Sequence, residues 1–481
     1  MGMGQSIGHL IGGESVGDPD GDGLAVWNPN VGELLARISD GTAADVDAAV
    51  RSARGGQREW WARTPYERER VLSRIGDLLE RDKRRIAAIE SENTGKTLAN
   101  ALADVEFAVE AFHFCAGHPA RAYGQHVPTS DPDLLCYTRL EPLGVVAAIS
   151  AWNYPIALAA MKIAPALAAG CAVVMKPAPE TPLTTLELAR LALAAGLPAG
   201  ALNIVTGGAE TGAALARHPG VDKVSFTGST ATGRKVLGAL AANGRPATLE
   251  LGGKSPNIVF ADVDLEASLD AILMGALVNS GQECCAGARV LVQREVFERF
   301  RDLAAERIQA LRVGAGTDPR SEIGPLINAR QRERVSGFVE RALGEGARVW
   351  ARGDAPDEGF FYPPTLLDRV TDEMEVWREE VFGPVLALDS FDSDDEALRK
   401  ANATRYGLAA GVWTADIGRA IRFVRELEAG MVWVNSYLEQ SAGAPFGGSK
   451  DSGFGRELGT QGPLEYSEVK TAYVKGAHGP T

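Results

Sequence analysis

Two adjacent cysteines, Cys284 and Cys285, follow a turn that contains Gly281 and Gln282. A cysteine thiolate is a strong nucleophile, but most cysteine side chains are buried and structural, and that interpretation remains open here. A flexible polar turn favours catalysis, because it exposes the next side chain and its backbone N–H to a substrate. The segment therefore predicts covalent catalysis by one of the two thiols.

A lone acidic residue, Glu250, interrupts a short apolar run that includes Leu249 and Leu251. An ionised carboxylate is too costly to bury without a partner. One interpretation is therefore an acid paired with a basic side chain in the core. The other is a general base whose pKa is raised by partly apolar surroundings.

A third segment, residues 226–233, joins a predicted strand to a predicted helix and contains Gly228. A glycine at such a turn lets the backbone approach a ligand, and a helix N-terminus offers unpaired N–H groups to a phosphate. The spacing differs from Gly-x-Gly-x-x-Gly, so this signal for a dinucleotide is weak by itself. The pair Gly207 and Gly208 is a weaker candidate of the same kind.

Strands and helices must bring these segments together, and their pattern divides the chain into two α/β regions. Residues 44–112 carry apolar residues at helical spacing. Repeated β-α-β units follow, which imply a doubly wound parallel sheet with ligands beyond the carboxyl ends of its strands. A second α/β run extends from about 256 to 450. The strands predicted in the first run are 145–149, 172–175, 202–205, 223–226 and 248–251. After the second of these strands, Thr181 and Pro182 are predicted as the N-cap and the first residue of a helix.

Composition excludes several other classes of protein. The chain has 481 residues, 45% of them hydrophobic and 23% charged, with a formal net charge of −14. This acidic balance argues against a nucleic-acid partner. The five cysteines form no Cys-x-x-Cys or Cys/His cluster. We therefore predict no disulfide framework and no metal site, and a reducing, cytoplasmic compartment.

The longest apolar stretch, residues 156–175, approaches the length of a membrane span. Lys162, Pro165 and Gly170 interrupt it. We therefore predict a buried helix followed by a strand, and no membrane partner.

Taken together, seven motifs closely resemble those of the aldehyde dehydrogenase superfamily, in its order and at its spacing, over residues from about 25 to 475. The resemblance is nearest to the branch that acts on betaine aldehyde and aminoaldehydes. The motifs are Trp152-Asn153-Tyr154-Pro155, Lys176-Pro177, Phe226-Thr227-Gly228-Ser229-Thr230, Glu250-Leu251-Gly252-Gly253-Lys254, Gly281-Gln282-Glu283-Cys284, Glu380-Val381-Phe382-Gly383-Pro384 and Pro445-Phe446-Gly447-Gly448.

The resemblance implies an α/β fold in three parts. We expect a dinucleotide-binding domain at 1–122 and 143–252, and a catalytic domain at 253–452. Bridging segments at 123–142 and 453–481 would form a small β element, which mediates homodimers or homotetramers in the family. The bridging element rests on the resemblance alone, whereas the two α/β regions also follow from the sequence pattern.

The resemblance also implies a reaction with a small-molecule aldehyde. The Cys284 thiolate attacks the carbonyl carbon, and the Asn153 side-chain amide and the Cys284 backbone N–H stabilise the oxyanion. Hydride transfer to NAD(P) leaves a thioester, which water activated by Glu250 hydrolyses to the carboxylic acid. Glu457 matches a carboxylate that relays protons, and Lys162 matches an interior lysine, although purely structural bonds remain an alternative for both.

Further residues are implied for the two ligands, with ordinary packing as the alternative for Phe382 and an ion pair as the alternative for Glu283. A carboxylate at Glu283 and an aromatic face at Tyr437 favour cationic or polar aldehydes. The implied cofactor residues are Ile149, Trp152, Lys176, Gly208, Phe226, Gly228, Ser229, Glu380 and Phe382. The implied substrate residues are Tyr154, Met161, Glu283, Cys285, Tyr437 and Phe446.

Two positions depart from the family. Pro179 stands where many members have a glutamate that bonds the ribose 2′-hydroxyl and repels a 2′-phosphate. We expect the side chain of the next residue, Glu180, to point elsewhere, and therefore predict that NAD is used and NADP tolerated. Met161 replaces a tryptophan that lines the substrate tunnel in many members, so the aromatic cage for a quaternary ammonium group is incomplete.

Two rival functions are a CoA-acylating aldehyde dehydrogenase and a non-catalytic structural protein on the same scaffold. CoA-acylating relatives generally lack a carboxylate at the Glu250 position, because CoA takes the acyl group. The complete set of Cys284, Glu250 and Asn153 argues against the structural protein.

Overall fold

The computed structural model describes residues 5–18, 23–241 and 244–475. The outer ends of the predicted cofactor and bridging segments, at 1–4 and 476–481, lie outside these ranges. Within them the chain forms α/β layers on two large sheets, with smaller sheets beside them. The predicted α/β, doubly wound fold class is confirmed.

The secondary structure elements are numbered in chain order. The strands are β1 Gln5–Ile7, β2 His9–Ile11, β3 Glu14–Val16, β4 Leu24–Asn28, β5 Glu33–Ile38, β6 His126–Val127, β7 Leu134–Pro142, β8 Val145–Ile149, β9 Ala172–Lys176, β10 Leu202–Ile204, β11 Lys223–Thr227, β12 Ala247–Glu250, β13 Pro256–Val259, β14 Arg289–Gln293, β15 Arg348–Arg352, β16 Thr365–Asp368, β17 Val385–Phe391, β18 Tyr406–Gly407, β19 Ala409–Trp413, β20 Met431–Val434, β21 Ser449–Lys450, β22 Gly453–Phe454 and β23 Ser467–Lys475. The helices are α1 Ala43–Ala62, α2 Pro65–Thr94, α3 Leu98–Ala116, α4 Pro155–Ala169, α5 Leu183–Ala194, α6 Ala209–Arg217, α7 Thr230–Ala241, α8 Leu265–Leu277, α9 Arg294–Ala310, α10 Ala329–Gly344, α11 Glu375–Arg378, α12 Asp394–Asn402, α13 Ile417–Glu426 and α14 Gln461–Leu464.

The first large sheet has the strand order β22-β12-β11-β8-β9-β10-β2-β3. Its five central strands are parallel, and antiparallel strands close both edges. In this register Ile149 lies beside Phe226 on one neighbour and Lys176 on the other, and Thr227 lies beside Glu250. The carboxyl ends of the strands therefore bring four predicted site segments to one edge of the sheet.

Helices cover both faces of this sheet because its central strands are apolar on both sides. In β8, Val146 and Ala148 pack into the core that contains α4. The alternate residues Val145 and Ala147 pack into the core that contains α1. A strand with two buried faces is typical of a doubly wound parallel sheet.

The apolar stretch at 156–175 folds as the predicted helix and strand. Gly170 ends α4 in a left-handed conformation, with φ 97°, and β9 follows two residues later. Among the described residues, no helix is both long and apolar enough to cross a membrane.

The second large sheet has the order β15-β16-β17-β14-β13-β19-β20 and is parallel apart from β15. A separate antiparallel sheet joins β6, β7 and β23. The short strand β22 does not belong to this smaller sheet, although the sequence analysis placed residues 453–454 in a bridging segment. It pairs with β12 and forms the edge of the first sheet, because Gly453 and Phe454 bond to the strand that ends at Glu250.

Candidate active site

One cavity of about 1250 Å³ opens where the carboxyl ends of the first sheet face the cysteine turn. Most of the predicted site residues border it. Those that line the cavity are Ile149, Trp152, Asn153, Tyr154, Met161, Lys176, Gly208, Phe226, Gly228, Ser229, Glu283, Cys284, Glu380, Phe382 and Phe446. Those that do not are Glu250, Lys162, Glu457, Cys285 and Tyr437.

The turn before the cysteines is buried and hydrogen-bonded, whereas the sequence analysis expected a flexible polar turn. Asn279, Ser280 and Gly281 adopt left-handed conformations, with φ of 51°, 59° and 67°. The Ser280 hydroxyl donates to the Gly324 carbonyl at 2.7 Å. The Gln282 side chain donates to the Asn279 carbonyl and accepts from the Ile327 N–H. These bonds fix the backbone that presents the thiols.

The two adjacent thiols have different environments. Cys284 is half-buried and lines the cavity, whereas Cys285 is fully buried, so the predicted substrate contact of Cys285 is absent. Their sulfur atoms are 4.0 Å apart. The hydrogen bond with Cys285, followed by burial, raises the pKa of Cys284 well above its usual value. Cys284 is therefore a thiol at neutral pH and needs a base.

Glu283 lies directly beside both thiols and lines the cavity. Its Oε1 accepts the Cys285 backbone N–H at 2.9 Å and lies 3.3 Å from the Cys284 sulfur. The carboxylate and the two thiols lie within 4.8 Å of one another, a spacing that metal ligands also adopt. The absence of a metal site therefore stays a prediction.

Asn153 lies in the loop between β8 and α4, at the wall of the cavity. Its side-chain Nδ2 donates to the Gln282 carbonyl at 3.1 Å, which links it to the cysteine turn. Its Oδ1 is buried and has no hydrogen-bond partner. One N–H of this amide is therefore occupied and the other remains for a ligand.

Glu250 is buried at the carboxyl end of β12, and neither of its oxygens makes a hydrogen bond of good geometry. Burial raises the pKa of Glu250 well above its usual value, and the nearby Glu457 carboxylate adds to this rise. Lys162 and Arg456 act in the opposite direction. The carboxylate lies behind the cavity wall, near Gly447. Because this site is buried, ionisation of the carboxylate at neutral pH costs free energy.

Lys162 and Glu457 form a buried ion pair behind Glu250. The Lys162 ammonium also donates to the Ser225 hydroxyl at 3.0 Å, and this hydroxyl donates to Glu457 Oε1 at 3.1 Å. Glu457 Oε2 has no partner. Lys162 comes from α4 and Ser225 from β11, so the tertiary structure joins residues far apart in the chain.

At the other end of the cavity, Lys176 lies beside Glu180. Burial lowers the pKa of Lys176 to about 8, and Glu180 is the main group that opposes this shift. Arg330 Nη2 lies 4.0 Å from Glu180 Oε1. Because Glu180 lines the cavity, the expectation that its side chain points elsewhere is wrong.

The proposed N-cap at Thr181 is also wrong: the hydroxyl donates to Trp152 O, and Pro182 precedes α5.

Two helices begin beside this end of the cavity. Ser229 precedes α7, and its hydroxyl accepts the Thr232 N–H at 3.3 Å. A side chain at Gly228 would meet the Phe226 ring, so glycine lets this ring pack against the turn before the helix. At α6 the Gly208 N–H instead donates to Asp40 Oδ1 at 2.9 Å. The α7 terminus is therefore the better phosphate site, because a carboxylate already occupies the other one.

Glu380 and Phe382 enter the cavity from the second sheet. Glu380 Oε1 accepts the Gly253 N–H at 2.9 Å, and burial raises the pKa of Glu380 to about 7. The Phe382 ring packs edge-on against Trp152, with centroids 5.3 Å apart. Phe382 has a left-handed backbone, with φ 60°, which directs the ring into the cavity instead of the core.

Near Cys284 the cavity is bordered by Tyr154, Met161 and Phe446. Tyr437 does not border it. The Tyr437 hydroxyl donates to the Cys285 carbonyl at 2.8 Å, and its ring contacts Gly275. Tyr437 therefore supports the cysteine turn from below and does not take the predicted substrate position.

Glu180, Leu438 and Gln440 are among the lining residues that the sequence did not predict as site residues. Leu438 follows Tyr437 and has a left-handed backbone, with φ 61°. This reversal of the backbone places Leu438 beside the cavity and Tyr437 away from it, and no pattern in the sequence indicated it. For Glu180 a usable signal existed, since it is the first acidic residue after Lys176.

Known proteins share this arrangement along almost the whole chain. Residues 17–472 match the profile of the aldehyde dehydrogenase family. The chain is 42% identical over 472 residues to a betaine aldehyde dehydrogenase from Rhizobium leguminosarum bv. trifolii (strain WSM2304), across 97% of this chain and 96% of that protein.

Solved structures agree with this match. A variant of an aldehyde dehydrogenase from Bacillus cereus has a TM-score of 0.96 at 41% identity, covering 98% of this chain and 97% of that one. A betaine aldehyde dehydrogenase from Staphylococcus aureus in complex with NAD+ has a TM-score of 0.96 at 36% identity, covering 99% and 96%. The chain therefore belongs to the aldehyde dehydrogenase family and is an oxidoreductase of aldehydes.

Proposed function

We propose that the protein oxidises an aldehyde to a carboxylic acid with NAD, through a thioester on Cys284. The observation that carries this proposal is a single cavity that joins Cys284 and Asn153 to Lys176 and Glu380. A thiol with an amide donor beside it suits attack on a carbonyl group. A helix N-terminus and a carboxylate at the other end suit a pyrophosphate and a ribose.

The residues at the cofactor end fit NAD. The first turn of α7 offers main-chain N–H groups to the pyrophosphate, and Gly228 and Ser229, just before this turn, line the cavity. Lys176 would bond the adenosine ribose, and Glu380 the nicotinamide ribose. When bound, NAD supplies the acceptor for the hydride that leaves the substrate carbon. The relative from Staphylococcus aureus was solved with NAD+, which supports this cofactor.

Glu250 takes the proton from Cys284. A carboxylate with a raised pKa is a stronger base at neutral pH, and burial supplies that rise. Because neither Glu250 oxygen makes a hydrogen bond of good geometry, the carboxylate can turn towards the thiol at little cost. The sulfur then bonds to the aldehyde carbon, and the second N–H of Asn153 Nδ2 stabilises the new oxyanion.

Loss of hydride from the same carbon leaves a thioester on Cys284. Glu250 then removes a proton from a water molecule, whose oxygen attacks the thioester carbon and releases the carboxylic acid and the thiol. The Lys162–Glu457 pair lies next to Glu250 and carries the proton away from it. A base suited to activating water favours hydrolysis over transfer to CoA.

We propose a cationic or strongly polar aldehyde as the substrate. Four acidic residues border the cavity on the side of Cys284: Asp104, Glu106, Glu110 and Glu283. Asp104 and Glu106 are paired with lysines, whereas Glu283 accepts from the Cys284 thiol and the Cys285 N–H and has no basic partner among the described ion pairs. A positive group on the substrate would therefore compensate the Glu283 charge, with the Tyr154 ring as an aromatic neighbour.

The experiment measures NADH absorbance with 4-aminobutanal, octanal and propanal, each with and without CoA. We expect turnover without CoA and a higher kcat/KM for 4-aminobutanal than for octanal. Glu283→Gln should lower kcat/KM for 4-aminobutanal about tenfold and leave propanal nearly unchanged. Glu106→Gln is the matched control, because Lys83 already neutralises that carboxylate. Strict dependence on CoA, or a preference for octanal in the wild type, contradicts the proposal.

We also propose that the protein self-associates through the small antiparallel sheet. Leu135, Val469 and Tyr473 are exposed there, and apolar side chains on a flat pair of strands favour a protein partner. Light scattering after size-exclusion chromatography should give a dimer or tetramer, and a monomer would contradict this.

A further inference from the structure

The amide of Asn279 touches two segments that must act together. Its Nδ2 donates to the Asn153 carbonyl at 3.0 Å and to the Gln282 carbonyl at 3.2 Å. Asn153 carries one proposed oxyanion donor, and Gln282 lies two residues before Cys284, whose backbone N–H is the other. One buried side chain therefore links the loops that carry both donors.

The Asn153 carbonyl is held from a second direction. The Lys96 ammonium donates to it at 2.9 Å, and is itself paired with Asp104 and placed 4.0 Å from the centre of the Tyr154 ring. Lys96 binds only the Asn153 loop, whereas Asn279 also binds the cysteine turn. Asn279 therefore joins the two loops, alongside the hydrogen bond from Asn153 to Gln282, whereas Lys96 holds only one of them.

The same bonds orient the Asn153 side chain. Gln282 O accepts from Asn153 Nδ2 as well as from Asn279 Nδ2, so two side-chain amides meet at this carbonyl. Only one of the two Asn153 amide protons is used in this way, and the direction of the other follows from it. A shift of one loop against the other would turn the free proton away from Cys284.

The conformation of Asn279 explains why an asparagine suits this position. Its backbone is left-handed, with φ 51°, a region that asparagine tolerates better than most residues. Its side chain is buried, and an amide offers two protons at the fixed angle needed by two carbonyl oxygens. Aspartate would keep the shape and present an oxygen to both carbonyls instead.

We propose that Asn279 is a positioning residue that orients the Asn153 oxyanion donor towards Cys284. This inference rests on the proposed function. It predicts that Asn279→Asp lowers kcat/KM for the aldehyde by about 10- to 100-fold, the range for a displaced or lost oxyanion donor. The dissociation constant of NAD should stay within about twofold of the wild-type value, because Asn279 does not border the cavity.

The test is a double-mutant cycle with Asn153→Ala, measured as single-turnover formation of NADH. If Asn279 acts through Asn153, then Asn279→Asp should slow the Asn153→Ala enzyme by less than about twofold. Asn203→Asp is the matched control, because Asn203 is also buried and bridges main-chain groups, at Gly12 and Gly200. Its effect should be the same in both backgrounds.

If Asn279→Asp slows the Asn153→Ala enzyme as much as it slows the wild-type enzyme, the inference about Asn279 is wrong, while the proposed function is unaffected. An Asn153→Ala enzyme as fast as the wild type overturns the proposed oxyanion role and the inference with it. If thermal unfolding shows that the Asn279→Asp variant is not folded, Asn279→Gly takes its place, because glycine keeps the left-handed backbone. The same two results of the double-mutant cycle then decide the inference.

Discussion

The catalytic end of the cavity and its cofactor end are held together in different ways. At the catalytic end, buried polar groups bond mainly to each other, as Asn153 does to Gln282 and Lys162 to Glu457. At the cofactor end, Glu180 is partly exposed and Ser229 is exposed, so solvent screens their charges and dipoles. Single substitutions should therefore cost much more at the catalytic end.

The largest effect should come from Cys284. Cys284→Ser should lower the rate of aldehyde oxidation by at least about 10³-fold, because a serine hydroxyl is a far weaker nucleophile at neutral pH. Cys285→Ser is the matched control and should retain most of the activity, because that side chain does not reach the cavity. Loss of activity in the Cys285 variant alone would show that Cys285, and not Cys284, is the nucleophile.

The second largest effect on activity should come from a substitution of Glu250. Glu250→Gln should lower steady-state turnover by about 10²- to 10³-fold, because it removes the base that activates water. Stopped-flow absorbance should show that the first turnover of NADH is slowed as well, since the same carboxylate takes the proton from Cys284 before the thioester forms. Undiminished steady-state turnover would show that Glu250 is not the base.

A smaller effect is expected at the cofactor end. Glu180→Gln should raise kcat/KM for NADP about tenfold while that for NAD changes little, because a carboxylate near a surface repels a 2′-phosphate by about 1–4 kcal/mol. Glu210→Gln is the control, since Glu210 also lines the cavity but is exposed and lies away from Lys176 in the chain. If only Pro179→Glu changes the cofactor ratio, position 179 governs the choice instead.

The smallest change should be a shift in pH dependence. Glu250 must be ionised to act, so kcat falls as the pH falls through its raised pKa. Since the Glu457 carboxylate contributes to that rise, Glu457→Gln should lower the pKa of Glu250 and move the acidic limb of the kcat profile to lower pH. Glu465→Gln, which removes a carboxylate paired with Lys223, should leave the limb in place. Movement to higher pH would contradict the proposed coupling.

Much of the first sheet could be predicted, because its strands are continuous apolar runs between helices. The predicted strand 172–175 corresponds to Ala172–Lys176, and 223–226 to Lys223–Thr227. The Thr181 cap failed because its hydroxyl bonds to Trp152 O, a contact between segments that no local pattern contains. Pro182 then stands one residue earlier than the first helical residue.

The site was predicted less evenly. Motif residues such as Lys176, at the end of β9, and Glu380, in the loop between α11 and β17, line the cavity as expected. Tyr437 failed because the adjacent Leu438 reverses the backbone and takes the place beside the cavity. The prediction for Glu180 was wrong because it assumed that Pro179 would direct this side chain away from the cavity.

The sequence by itself determined the order of the strands and helices and the α/β class, and it predicted Cys284 as the nucleophile, because periodicity and motif spacing are local properties. Only the tertiary structure decided that Glu250 carries no good hydrogen bond, that Cys285 is sealed from the cavity, and that Asn279 joins two loops. Burial and hydrogen bonding of these groups depend on segments more than a hundred residues apart in the chain, and no local pattern encodes such contacts.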